Sequence, residues 1–224
     1  MTISGGYFLT RAVERPSYCC ADLLPNRILS LSACICDFAP DLSESDWARK
    51  WAISPVAVPE FRWWSTAQFD AETLGWPRVF FSLRDARAFV SRFLSSAPDV
   101  KVLGIGLHPE AVESFPAKSG PQEGIPGIDK AVRRGAPLDK GGVALGWEVL
   151  CYDSGDFHSW LCNGLETHIA RIFGIRPTST GFIGSMAQAL TAAEYCGRED
   201  APAEPGFWAP WLVVEYALVE NARL

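Results

Sequence analysis

The stretch DSGDFHSWLCNGLETHIARIFGI, from Asp153 to Ile175, gathers two of the chain's three histidines with a cysteine, a tryptophan and three carboxylates. Thiol, imidazole and carboxylate together are the parts of a cysteine hydrolase or transferase: Cys162 as nucleophile, His158 as base and Asp156 as the group that orients the imidazole. Apolar residues at Phe157, Trp160, Leu161, Leu165, Ile169, Ile172 and Phe173 recur at helical spacing, and Gly174 with Ile175 suits a helix end, so the pattern predicts one amphipathic helix from Phe157 to Phe173. On it His158 and Cys162 stand at i and i+4, one above the other, while Asp156 points elsewhere. A free cysteine beside Leu161 reads better as a small buried hydrophobe than as a nucleophile. The enzyme reading is therefore the alternative, and catalytic residues are not assigned.

Metal chemistry is not expected either. His158 and His168 are ten residues apart, which is about 15 Å along a helix, so one ion cannot join them. The seven cysteines, Cys19, Cys20, Cys34, Cys36, Cys151, Cys162 and Cys196, lack the paired spacing of a zinc site and read as free, mostly buried thiols. Cys34 and Cys36 are two apart in a predicted strand and so share a face. His108, before Pro109, reads as a capping or surface histidine. Gly104 and Gly106 lack the third glycine of a dinucleotide loop, and no phosphate-binding loop, nucleophile elbow or zinc-protease motif occurs. No cofactor and no metal are expected.

The elements that would position these groups are legible in part. RILSLSACICDF alternates apolar and small residues, as a strand does. Ser43 and Asp46 resemble a capping box opening a short helix with Trp47 and Trp51. SPVAVPEFRWW, broken by Pro55 and Pro59, is not expected to be a regular helix, and of Trp63 and Trp64 one should be at least partly exposed. Ser82 caps a helix carrying Ala86, Phe89, Val90, Phe93 and Leu94 on one stripe. VKVLGIGLHP reads as a strand buried on both faces, the run 110–142 as one long irregular loop, and VALGWEVLCYD as a strand. SMAQALTAAEYCG reads as a helix, and an aromatic, proline-rich loop, 202–211, leads to a last strand in WLVVEYALVE. Together these predict a single α+β domain over 1–224, with a mostly antiparallel or mixed sheet and three to five helices.

Composition bounds the function. Hydrophobic residues at 48% fit a chain that folds unaided, and 20 Lys and Arg against 26 Asp and Glu give a net charge of −6. That balance repels phosphate backbones and anionic lipid surfaces, so neither nucleic acid nor membrane is expected as partner. The start MTISGGYFLTRAVERP lacks the pattern of a secretion signal, and a cytoplasmic location follows as an expectation. Nine tryptophans, of which Trp63, Trp64, Trp76, Trp208 and Trp211 fall in loop-like contexts, suit a protein interface, and an acidic surface suits a basic partner. The expectation is a non-enzymatic binding protein of bacterial immunity or antitoxin type, covering a partner toxin through segments 62–76, 110–142 or 202–211.

Overall fold

The computed structural model describes residues 1–39, 50–76, 78–116, 127–153 and 155–218. Seven strands form one antiparallel sheet in the order β4-β5-β1-β6-β9-β7-β8. They are β4 (Leu74–Gly75), β5 (Val79–Phe80), β1 (Ile3–Thr10), β6 (Lys101–Leu107), β9 (Phe207–Tyr216), β7 (Val143–Asp153) and β8 (Asp156–Ser159). A two-stranded ribbon, β2 (Val13–Glu14) with β3 (Arg27–Ile28), stands apart from it. Six α-helices pack around the sheet among the described residues: α1 (Val58–Asp70), α2 (Leu83–Phe93), α3 (Pro109–Val112), α4 (Ile128–Arg133), α5 (Glu166–Phe173) and α6 (Met186–Cys196). The α+β class is as the pattern predicts. The helix number exceeds the expected range because α3 and α4 arise within 110–142, which is not one loop, although 117–126 lies outside the described residues.

Period-two alternation divides the central strands between two cores. Tyr7, Leu9, Val102, Val214 and Tyr216 face one, with α1 and α2; Phe8, Leu103, Ile105, Trp211 and Val213 face the other. The first core is aromatic: Phe61 and Trp64 of α1 meet Phe89 and Phe93 of α2, with Trp64 and Phe89 ring centroids 4.9 Å apart. The Ser82 cap of α2 forms as expected, its hydroxyl accepting from the Asp85 amide. α1 corrects the reading of SPVAVPEFRWW. Pro59 is the second residue of the helix, where an amide N–H has no intrahelical acceptor, so the prolines begin the helix instead of breaking it. Of the tryptophan pair, Trp64 is buried and Trp63 is 70% exposed. The capping box of Ser43 and Asp46, with Trp47, lies outside the described residues.

Two further differences shape the site. The run after β3, residues 29–38, is irregular: Ser30 and Ser32 are as buried as Leu29 and Leu31, Cys34 is exposed and Cys36 buried, so the two cysteines do not share a face. And Phe157 to Phe173 is not one helix. It is strand β8, a single tight turn, and then α5. The last strand also starts earlier than expected, at Phe207, which places Trp208 and Trp211 in β9. Among the described residues no helix is long and apolar enough to cross a membrane.

Candidate functional site

Gly164 explains the break after β8. It takes φ 65°, the Gly164 amide donates to the Leu161 carbonyl at 3.1 Å, and the Leu165 amide donates to Trp160 at 3.1 Å. These are the paired bonds of a Schellman motif, which closes the turn ten residues before Gly174 closes α5 with a single left-handed cap. Trp160, Leu161, Leu165 and Ile169 are buried as expected, but Ile172 is 50% exposed. His158 therefore stands on a strand, alternating with the buried Phe157 and Ser159, and Cys162 sits in the turn, not one helical turn above it.

The turn and the 30–34 segment bring three ligand-type atoms together. Cys34 Sγ lies 3.4 Å from His158 Nδ1, and Cys34 Sγ, His158 Nδ1 or Nε2 and Cys162 Sγ lie within 4.8 Å of one another. A fourth group joins from the loop before β9, with Glu204 Oε2 3.2 Å from the same His158 Nδ1. Asn163 ties that loop to the turn: its Oδ1 accepts from the Glu204 amide at 3.0 Å, and its Nδ2 donates to the Ser159 carbonyl and to Cys162 Sγ. Ser32 Oγ also donates to Cys162 Sγ, at 3.5 Å, while accepting from the Cys34 amide. Burial pushes the Cys162 thiol up to about 11, against the lowering effect of the Ser32 hydrogen bond, so its sulfur is protonated at neutral pH.

Beneath this cluster lies Glu148 of β7, completely buried. Its Oε1 accepts from Ser30 Oγ at 2.5 Å and its Oε2 from the Leu31 amide at 2.8 Å. Burial raises its pKa from 4.5 to about 7, although those hydrogen bonds favour the ionised form.

Of the residues picked from sequence, His158 and Cys162 meet. Asp156 is on the same strand as His158 and, two residues away, on the same side of it. His108 caps α3, accepting from the Glu110 amide, as expected for a structural histidine. Trp64 and Trp211 are core residues; Trp76 and Trp208 are half-buried, the latter donating from Nε1 to the Glu204 carbonyl. Cys34, Glu204, Asn163, Ser32 and Glu148 were not picked. For Glu148 a signal existed: a carboxylate inside the apolar run VALGWEVLCYD must find hydrogen-bond donors when the strand is buried. The expectation of no metal rested on the unpaired cysteine spacing and on the distance between His158 and His168 along one helix, whereas Cys34, His158 and Cys162 are brought together from separate segments. No protein-family model, curated protein sequence or solved structure shows significant similarity to this chain.

Proposed function

We propose that this protein binds a single thiophilic divalent transition-metal ion, of the zinc class, through Cys34, His158 and Cys162, with Glu204 as the fourth ligand. The observation that carries the reading is convergence on one nitrogen. In a nucleophile–base–acid arrangement the thiol and the carboxylate sit on opposite nitrogens of the imidazole. Here Cys34 Sγ and Glu204 Oε2 both approach Nδ1, at 3.4 and 3.2 Å, as ligands do around a shared ion. A tetrahedral zinc site places sulfur about 3.5 Å from nitrogen and about 3.8 Å from a second sulfur, so small side-chain rotations complete the set. The Ser32 and Asn163 donors to Cys162 Sγ are the outer hydrogen bonds that stabilise a metal-bound thiolate.

Cobalt(II) substitution tests this. Added to the metal-free, reduced protein, cobalt should bind one equivalent and give a near-ultraviolet thiolate-to-metal band that Cys34→Ser and Cys162→Ser each weaken and the double variant removes. Absence of the band in the unsubstituted protein, with fast thiol labelling at Cys34 or Cys162 that zinc does not slow, overturns the metal reading in favour of a cysteine nucleophile.

A second reading, a binding protein that covers a partner's functional surface, is supported by Trp63. It is 70% exposed on a helix whose other face is locked in the aromatic core, with Val56 88% exposed just before that helix. A net charge of −6 selects a basic protein as its occupant. In affinity capture from the native host, Trp63→Ala should lose a stoichiometric basic partner that the unsubstituted chain retains; equal capture by both sinks this reading.

A further inference from the structure

Cys34 reaches the cluster on an irregular segment, 30–34, and Cys162 in the turn after β8, and one side chain, Ser32, touches both. Glu148 projects from β7, paired on both sides within the sheet, and is completely buried. Toward the first segment it accepts from Ser30 Oγ and the Leu31 amide; Ser30 Oγ in turn accepts from the Ser32 amide at 3.0 Å, and Ser32 Oγ from the Cys34 amide at 3.2 Å. In the turn, Ser159 Oγ accepts from the Leu161 amide at 3.2 Å. The Ser159 carbonyl then receives the Cys162 amide at 3.0 Å and the Cys162 thiol at 3.1 Å. Ser32 closes the path, its Oγ donating to Cys162 Sγ, so the carboxylate reaches the Cys34 amide and the Cys162 thiol through one relay, Ser30 to Ser32.

We infer that Glu148 is the positioning residue of the thiol–imidazole centre, holding the Cys34 and Cys162 segments at one separation through the Ser30–Ser32 relay. The inference rests on the metal reading for its consequence, but the anchoring itself is a property of the metal-free chain. A buried carboxylate is costly unless several donors meet it, so its retention at this point commits those donors to fixed places. Glutamine has the same shape, but its Nε2 meets a donor when set against the Leu31 amide, and when set against Ser30 Oγ it removes the acceptor that fixes that hydroxyl, so the relay loses its hold on both segments.

Two measurements on Glu148→Gln and Ser30→Ala decide it, each variant first shown to keep the far-ultraviolet circular dichroism of the parent. Native-state amide exchange of the metal-free proteins should show segments 30–34 and 159–163 opening together in Glu148→Gln, with β6 unchanged. Cobalt affinity should fall about 10-fold or more in each variant, with altered ligand-field bands, and the double variant should lose no more than the weaker single one, because both changes cut one relay. Unchanged exchange in either segment, or additive losses of affinity, overturns the inference. If the parent binds no cobalt, the metal reading falls, while the exchange data still decide whether Glu148 anchors both segments.

Discussion

The seven thiols differ in what surrounds the sulfur, and that difference sets their reactivity. Burial pushes Cys36, Cys151 and Cys196 up to about 12 and Cys19 and Cys162 to about 11, so each is protonated and slow toward a thiol reagent at pH 8. Cys34 is exposed and should label first; mass spectrometry of partially modified, metal-free protein reads the order, and Cys162 modified before Cys34 contradicts the geometry. Glu148 makes a second prediction at this scale. Its folded pKa, about 7, lies above the unfolded value, so the folded chain holds a proton that the unfolded chain has already released. The stabilisation from this group is therefore full below about pH 4.5 and is lost as pH rises through about 7. Relative to Glu148→Gln, the metal-free protein should lose about 3 kcal/mol across that window, read by urea unfolding at a series of pH values; a flat difference refutes it. None of this was legible from spacing. In SLSAC the serines read as the small, mildly polar face of a strand covered by another element, and only the buried carboxylate from a distant strand shows what they meet.

Elements were legible where one periodicity governs a whole run and illegible where two meet. The α2 stripe, the apolar run of β6 and the helix after Ser185 each belong to a single element, and each forms. In FHSWLCNGLETHIARIF a strand residue, a turn and a helix happen to leave apolar side chains at helical intervals, and the discriminating residue is Gly164. With φ 65° and nothing within 4 Å of an added Cβ, Gly164→Ala meets only the left-handed backbone penalty, so it should cost about 1 kcal/mol by chemical denaturation. A change within error would mean that the turn does not need the left-handed cap. α1 was hidden by its prolines, which count against a helix everywhere except in its first turn. Its two adjacent tryptophans separate core from surface. Trp64→Ala should cost about 3–5 kcal/mol by opening a cavity among Phe61, Phe89 and Phe93, whereas Trp63→Ala should stay within about 0.5 kcal/mol; comparable losses would place both indoles in the core.

For the molecule as a whole, the α+β class followed from the mixture of strand and helix patterns without a βαβ rhythm, but the site did not, because its parts are joined by the fold alone. Cys34 follows the ribbon strand β3, His158 and Cys162 follow the long strand β7, and Glu204 precedes β9; the pairing of β7 with both β8 and β9 is what sets them side by side. An ion held by all four groups would cross-link the irregular 29–38 segment, the turn after β8 and the 197–206 loop, three parts of the chain outside the regular strands. Since the ligands assemble only in the folded state, binding adds to folding free energy, by about 4 kcal/mol when free metal is a thousandfold above its dissociation constant. For a chain of this size that is roughly 10 °C in the unfolding midpoint. Calorimetry of metal-free protein with and without zinc should show that rise in the unsubstituted chain and lose it in Cys34→Ser, whose exposed sulfur has little part in the metal-free core. An equal midpoint with and without zinc would leave the convergence of Cys34, His158, Cys162 and Glu204 without a metal to explain it.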